Sequence, residues 1–288
     1  MNEVPKSGML YLCATPIGNL SDITERVLET LRSADIIAAE DTRNSLKLLT
    51  HFGIRAPLIS YHEYNKYDRA GELIARMKEG KNVALVTDAG TCGISDPGEV
   101  LVHMCYEQGI RVTSLPGPCA LITALTMSSL PTRRFVFEGF LPPDKKERKK
   151  ILEDLERETR TIIIYESPHH LQKTLSELFD ALGDRRVAIC RELTKKFEEV
   201  IRMSLKEAAG FYEDHEPKGE FVIVLEGRSR ERMEEEKADD FRRMDINEHM
   251  AMYESQGIDR KEAMKKVAAD RGVSKREIYN MLLKDTNG

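Results

Sequence analysis

Short apolar runs alternate with amphipathic stretches as far as Leu130. Met9 to Ala14, Ile36 to Ala39, Pro57 to Tyr61, Asn82 to Thr87 and Arg111 to Leu115 each read as a short buried strand. Between them, apolar residues recur at helical spacing. Ile23, Val27, Leu28 and Leu31 share one face behind a predicted cap at Asp22, with Glu25 completing a capping box. A helix after Glu40-Asp41-Thr42-Arg43 stops at Gly53. A helix from Asp68 to Glu79 carries Leu73, Ile74 and Met77, and another runs to Gln108 before Gly109. Strands separated by helices at this spacing predict a parallel, layered α/β sheet.

The pattern restarts after Leu130-Pro131-Thr132. Phe135 to Phe140, Thr161 to Glu166, Val187 to Cys190 and Glu220 to Leu225 read as strands of a second α/β unit. Ser167 is the expected cap of the helix behind the second of these, with Pro168 at its first position, and Ser204 with Glu207 forms a capping box. Gly227 to Met244 is almost entirely charged and reads as a helical or loose linker. Three short helices follow, each opened by the same kind of cap: Asp245 with Glu248, Asp259 with Glu262, Ser274 with Glu277. The last two, joined through Gly272-Val273, predict a helix-turn-helix. The expected division is an α/β domain over residues 1–131, a second over 132–227, a linker over 228–244 and a small all-α extension over 245–288.

Charge narrows the reading. A net charge of -5 over 288 residues excludes binding of polyanions through bulk charge, so any nucleic-acid contact falls to local basic patches. The five cysteines are scattered, with no metal-ligand or redox spacing, so neither zinc nor disulfides are expected. The start lacks an apolar signal region and no apolar run is long enough to span a bilayer, which predicts a cytoplasmic protein with no membrane partner.

Three loops end strands of the first unit: Thr15 to Asn19, Asp88 to Gly98 and Pro116 to Ala120. The middle one holds three glycines and runs into a helix expected to start at Asp96, with Pro97 at its first position and Glu99 completing the cap. In a parallel sheet such loops share one edge and can converge on a ligand. None is a dinucleotide fingerprint or a phosphate loop with a Lys-Ser/Thr ending, which disfavours a nicotinamide dehydrogenase or a P-loop ATPase.

Seven stretches carry a resemblance: Ala14-Thr15-Pro16-Ile17-Gly18-Asn19-Leu20, Glu40-Asp41-Thr42-Arg43, Asp88-Ala89-Gly90 with Ile94-Ser95-Asp96-Pro97-Gly98, Pro116-Gly117-Pro118, Glu138-Gly139-Phe140, Tyr165-Glu166-Ser167-Pro168-His169 and Arg191-Glu192-Leu193-Thr194-Lys195. In this order they resemble the tetrapyrrole methylase-like class of S-adenosylmethionine enzymes, and within it the bacterial ribosomal RNA small subunit methyltransferase I family. The terminal helices resemble that family's helix-turn-helix extension. The resemblance implies two α/β domains with the cofactor in the cleft between them, and a homodimer. It implies methyl transfer from S-adenosylmethionine to the ribose 2′-hydroxyl of a cytidine in the decoding region of 16S rRNA, as free RNA or in the small ribosomal subunit. Carried over by position, the cofactor contacts are Pro16, Asp88, Ile94, Ser95, Cys119, Ala120 and Tyr165. The chain departs from the family pattern at Cys92, where proline is expected, at Cys119, where serine is usual, and at His170, where arginine is expected.

In-line methyl transfer from a sulfonium needs alignment rather than a metal. A ribose hydroxyl is a poor nucleophile, so a positioned base or cation should help it. Glu40, Asp41, Glu166 and Lys195 end strands near the expected cleft, with Asp41 the favoured base and Arg43 and Lys195 placed for RNA phosphates. Lys145, Lys146, Lys275 and Arg276 are further RNA candidates. Plainer readings stay open: Asp41 and Arg43 as a surface ion pair, the basic run Lys145 to Lys150 as a solvated helix face, and Lys275 and Arg276 as caps of a helical bundle. Two rival functions also remain, a tetrapyrrole methylase of the same fold and a non-catalytic nucleic-acid-binding protein whose active part is the tail.

Overall fold

The computed structural model describes residues 7–286. They form two compact units: one runs to Glu156 and resumes over Arg160–Glu226, and the other combines Arg157–Thr159 with the chain from Gly227 onward.

The larger unit contains two sheets. Strands β1 (Met9–Cys13), β2 (Ile36–Ala39), β3 (Leu58–Ser60), β4 (Val83–Val86) and β5 (Arg111–Leu115) form the first, all parallel, in the order β3-β2-β4-β1-β5. Helices α1 (Glu25–Ser33), α2 (Thr42–His51), α3 (Lys66–Lys78), α4 (Gly98–Glu107) and α5 (Ala120–Met127) make the connections. Every residue of β2 and β4 is buried, which is why both read as unbroken apolar runs: a parallel sheet is covered on both faces. The pleat divides the side chains between two cores. Ala38 and Leu85 pack with Leu73, Met77 and Leu101, while Ile37, Ala39, Ala84 and Val86 pack with Val27 and Leu31.

Strands β6 (Phe135–Phe140), β7 (Thr161–Glu166), β8 (Arg186–Arg191), β9 (Glu199–Ser204) and β10 (Phe221–Leu225) form the second sheet, in the order β6-β7-β10-β8-β9. Only β6 and β7 run parallel; the other pairings are antiparallel. The last strand in sequence, fully buried β10, fills the centre. Helices α6 (Lys145–Glu156), α7 (Leu171–Leu182) and α8 (Leu205–Asp214) cover one face. On the other face, Ile163, Ala188, Val222 and Val224 pack against Leu121, Ala124 and Leu125 of α5 and against Ile17. That shared core joins the two halves of the unit. At roughly 1.5–3 kcal/mol for each large apolar side chain buried, Leu121 and Leu125 alone bind them with several kcal/mol.

Three predicted helix starts are corrected. Asn19 caps a single tight turn, Leu20–Asp22, and Thr24 rather than Asp22 caps α1, its hydroxyl accepting from Val27 N at 3.2 Å. Helix α4 begins at Gly98, because Asp96 holds the loop: it accepts from Gly93 N at 2.8 Å and Ile94 N at 3.1 Å as well as from Gly98 N at 2.7 Å. Helix α7 begins at Leu171; the Ser167 amide donates to Glu166 Oε1 at 2.7 Å and its hydroxyl is buried without a protein partner. The Ser204–Glu207 box forms as expected, but β9 before it was not anticipated.

In the smaller unit, α9 (Arg230–Arg243) covers the charged stretch read as a linker, and α10 (Ile246–Glu254), α11 (Arg260–Asp270) and α12 (Lys275–Thr286) form the tail. Asp245 and Asp259 accept the expected backbone bonds, and Ser274 and Glu277 exchange theirs reciprocally. Ile246, Met250, Val267, Ile278 and Leu282 build a small core. His249, whose side chain is 0% exposed, lies beside it, stacked on Phe241. No helix among the described residues is long and apolar enough to cross a membrane.

Candidate active site

The three glycine-bearing loops meet at the carboxyl edge of the first sheet and are stitched together. Thr15 and Gly90 exchange backbone hydrogen bonds at 2.9 and 3.0 Å, and the Thr91 hydroxyl donates to Pro118 O at 2.9 Å. Gly90, at φ +85°, lies so close to the first loop that a Cβ there would stand 3.2 Å from Ile17 Cγ2. Cys92, one of the departures from the family pattern, is an underside brace. Its buried thiol lies 3.3 Å from both Cys13 O and Leu85 O, with one proton to donate between them, and burial pushes its pKa up to about 12, so it stays protonated.

Above these loops the second sheet closes a cavity of about 410 Å³. Asp88, Ala89, Ile94 and Ser95 wall it from the middle loop, and Cys119 and Ala120 from the start of α5. The opposite wall is Tyr165 to Pro168, Leu193 and the first residues of β10. The Tyr165 hydroxyl accepts from Leu121 N at 3.1 Å and so ties β7 to the start of α5 across the cleft. Burial pushes that phenol up to about 12, and Phe137 and Phe140 hold its ring edge-on with centroids at 4.9 and 5.7 Å. Gly139, at φ +64°, sits in the β6 bulge, where a Cβ would come within 2.9 Å of Ser95 Oγ.

Backbone strain concentrates here. Among the described residues, four non-glycine positions have positive φ; Ser95 (59°) lines the cavity, and Glu192 (49°) and Thr194 (66°) flank Leu193, which also lines it. Such conformations cost of order 1–3 kcal/mol each and persist where the surroundings enforce them.

Carboxylates dominate the polar lining: Glu40, Asp88, Asp96, Glu166 and Glu220. They are not equivalent. Glu40 is half-buried; desolvation, then the charges of Asp88 and Asp96, raise its pKa above the ordinary carboxyl value. Glu166 is buried and engaged at both oxygens, by Ser167 N at 2.7 Å and by the Thr174 hydroxyl at 2.6 Å, with Arg148 behind Thr174 at 2.7 Å. Asp41 lines neither this cavity nor its neighbour. Arg43 binds both of its oxygens, at 3.1 and 2.7 Å, and its own amide adds a third bond, which together hold the carboxyl down at about 2.

The other sequence-derived residues distribute as follows. Asp88, Ile94, Ser95, Cys119, Ala120 and Tyr165 line the cavity together. Pro16 faces a second cavity, of about 380 Å³, which shares Thr87 and Asp88 with the first. The Lys195 ammonium pairs with Glu192 at 2.9 Å and Glu220 at 2.7 Å, and its stem crosses Gly18, where a Cβ would lie 2.3 Å from Lys195 Cγ. Arg43 is exposed beside Asp41. Lys145 and Lys146 are exposed at the start of α6, but Arg148 in the same run turns inward to Glu177 at 2.6 Å. Lys275, half-buried, and Arg276, exposed, open α12 in the smaller unit. His170 occupies the cap position of α7 without capping it through its side chain. Sequence reasoning missed Thr87, Leu193 and Val222 as lining residues; Leu193 lies within a motif already singled out, whereas the others are strand ends with no local signal.

Comparison with known proteins places this cleft. A family model for tetrapyrrole (corrin/porphyrin) methylases matches residues 9–209. The ribosomal RNA small subunit methyltransferase I of Halalkalibacterium halodurans is 48% identical over 274 residues, covering 95% of this chain and 94% of that protein. The protein of the same name from Bacillus subtilis is 48% identical over 273 residues, covering 95% and 93%. Among solved structures, the uroporphyrin-III C-methyl transferase from Thermus thermophilus complexed with S-adenyl homocysteine has the same fold, at TM-score 0.56 and 17% identity, over 76% of this chain and 97% of that one.

Proposed function

The chain belongs to the tetrapyrrole methylase family, and from that premise we infer that it transfers a methyl group from S-adenosylmethionine to small-subunit ribosomal RNA. The observation that carries this reading is near-half identity over almost the whole chain to proteins named for that activity, on a chain whose loops and second sheet enclose one shared cleft. The acceptor is the ribose 2′-hydroxyl of a cytidine in the decoding region of 16S rRNA. The enzyme works as a homodimer in the cytoplasm, with residues 1–131 and 132–227 as the two domains that close on the cofactor and 245–288 as an RNA-binding extension.

The residues present fit the cofactor. Its sulfonium and ammonium are cationic, and the lining carries five carboxylates; the buried Ser167 hydroxyl on the wall has no protein partner and is free to bind a ligand. Asp88, Ile94 and Ser95, Cys119 and Ala120, and Tyr165 are the residues that would hold it. When bound, it supplies a methyl group activated by the adjacent sulfonium. The chain's own work is alignment and proton management. The strained loop at Ser95 and the bond from Leu121 N to Tyr165 set the width of the cleft. Of the candidate bases, Glu40 is the one we assign as proton acceptor: it faces the cavity with a raised pKa, whereas Asp41 is pinned by Arg43 and Glu166 is held at both oxygens. Arg43 and Lys195, with Lys145, Lys146, Lys275 and Arg276, are assigned to RNA phosphates.

The test is methyl transfer from labelled S-adenosylmethionine to small subunits from cells lacking the protein, with the 2′-O-methyl position mapped by mass. Glu40→Gln should lower turnover by about 10²–10⁴-fold with cofactor affinity intact, while Asp41→Asn lowers it far less. The reverse order would return the base to Asp41.

A further inference from the structure

The first cavity accounts for a methyl donor but leaves open where the acceptor sits. A methyl group moves only a bond length or so in an in-line transfer, so the acceptor site must share a wall with the donor site. The second cavity meets that condition through Thr87 and Asp88. Its remaining walls include Pro16 of the first loop, Leu20 of the turn that follows it, and Asn44, Leu48 and His51 of α2. We infer that this cavity receives the acceptor nucleoside, turned out of the RNA chain, with its ribose directed over Asp88 toward Glu40; the inference rests on the methyltransferase reading above.

The chemistry of the walls matches a nucleoside. A base has two apolar faces and a polar edge. Pro16, Leu20 and Leu48 offer apolar surface, and the Asn44 carboxamide offers one donor and one acceptor to that edge. Enzymes that act on one nucleotide of a structured RNA or DNA extrude it into a pocket of this kind. Lys47 and His51 lie on the same cavity wall, where the phosphates flanking an extruded nucleotide would pass. The shared wall is also tied to α2. Asp88 accepts from Asp41 N at 3.2 Å and from Asn44 Nδ2 at 3.4 Å, so the start of α2 fixes the carboxylate that separates the cavities. The neighbouring Glu40, whose carboxyl feels the charge of Asp88, stands on the far side of that wall. Pro16 thus belongs to the acceptor side of the cleft.

The test fills the cavity. Leu20 is 43% exposed, so Leu20→Trp adds bulk at the mouth without disturbing a core. Wild type, Leu20→Trp and Asn44→Ala, all full-length, are compared in methyl transfer to small subunits and in calorimetric binding of S-adenosylmethionine. Leu20→Trp should lower kcat/KM for the subunit by about tenfold or more at unchanged cofactor affinity, which also reports an intact fold. Asn44→Ala should raise KM for the subunit several-fold with kcat nearly preserved. Unchanged kcat/KM in Leu20→Trp overturns the inference. So does a parallel loss of cofactor affinity in Leu20→Trp, which would make the second cavity part of the cofactor site. If wild type itself transfers no methyl group to small subunits, the parent reading fails; transfer by wild type with an indifferent Leu20→Trp fails this inference alone.

Discussion

Gly117 offers a direct test of whether the third loop is set by close packing. A Cβ on Gly117 would stand 2.7 Å from Ala14 Cβ, whereas ordinary contact begins near 3.4 Å, so the two must part by about 0.7 Å. Ala14 is 1% exposed at the end of β1 and has no rotamer through which to yield, and therefore the loop carrying Gly117 has to move. Overpacking of this kind costs roughly 1–3 kcal/mol. Two and three residues further on, Cys119 and Ala120 line the cavity, so the displacement reaches the cofactor wall. Misplacement approaching 1 Å can cost on the order of 10²-fold where alignment matters. Gly117→Ala should thus lower the denaturant midpoint and weaken binding of S-adenosylmethionine by about tenfold or more. Ala14→Gly removes the opposing methyl, so the double variant Ala14→Gly/Gly117→Ala should recover most of the loss, with a coupling of about 1–3 kcal/mol in the thermodynamic cycle. A Gly117→Ala protein with the wild-type midpoint and affinity would refute the packing argument. A full loss with no recovery in the double variant would place the effect elsewhere than at Ala14.

Two further outcomes are expected. Arg148→Met removes the partner of Glu177 and Thr174 and should destabilise the larger unit by about 1–3 kcal/mol in urea denaturation, whereas Lys145→Ala should stay within about 0.5 kcal/mol. In the smaller unit, Arg271 Nε donates to His249 Nδ1 at 3.1 Å, leaving Nε2–H to face Asp270 at 3.2 Å, so the folded unit requires a neutral ring. Burial, opposed by Asp270 and reinforced by Arg271, lowers the His249 pKa below 6.5, so the unfolded chain binds the extra proton: stability is present above pH 6.5 and is lost as pH falls through the lowered folded value. Hydrogen-exchange protection of Ile246–Glu254 should fall in acid, and His249→Gln should flatten that dependence.

The first sheet was legible because its chemistry is repetitive. Strands covered on both faces must be apolar throughout, and the helices between them must show one apolar stripe, so β2, β4 and α3 announce themselves. Strand β9 did not. Its residues lie at a sheet edge, none of them fully buried, and Glu199 and Arg202 break the apolar run. Two of the three misplaced helix starts share a setting. Asp96 and Ser167 are good caps by residue type, but both stand at the cavity. At Asp96 the backbone of a strained loop shares the carboxylate with the helix end, and after Ser167 the chain enters α7 only at Leu171, leaving the hydroxyl unpartnered on the wall of the cleft. A cap read from sequence assumes that the helix is the only claimant, and at Asp96 that assumption fails because the loop claims the carboxylate as well.

The choice between Glu40 and Asp41 shows the limit most sharply. Both carboxylates follow the last residue of β2, and composition, spacing and motif treat them alike. Successive residues leaving a strand point to opposite sides, so one of the two must turn away from whatever lies beyond the sheet edge. Which one turns is fixed by one partner close by and others far along the chain. Burial first, and then the charges of Asp88 and Asp96, reached only through β4, raise the pKa of Glu40. Arg43, two residues on, captures Asp41 and lowers its pKa. The nearer partner is visible in the sequence and makes Asp41 look like half of a functional pair. The partial burial of Glu40 and the distant carboxylates together make it, of the two, the group suited to accept a proton.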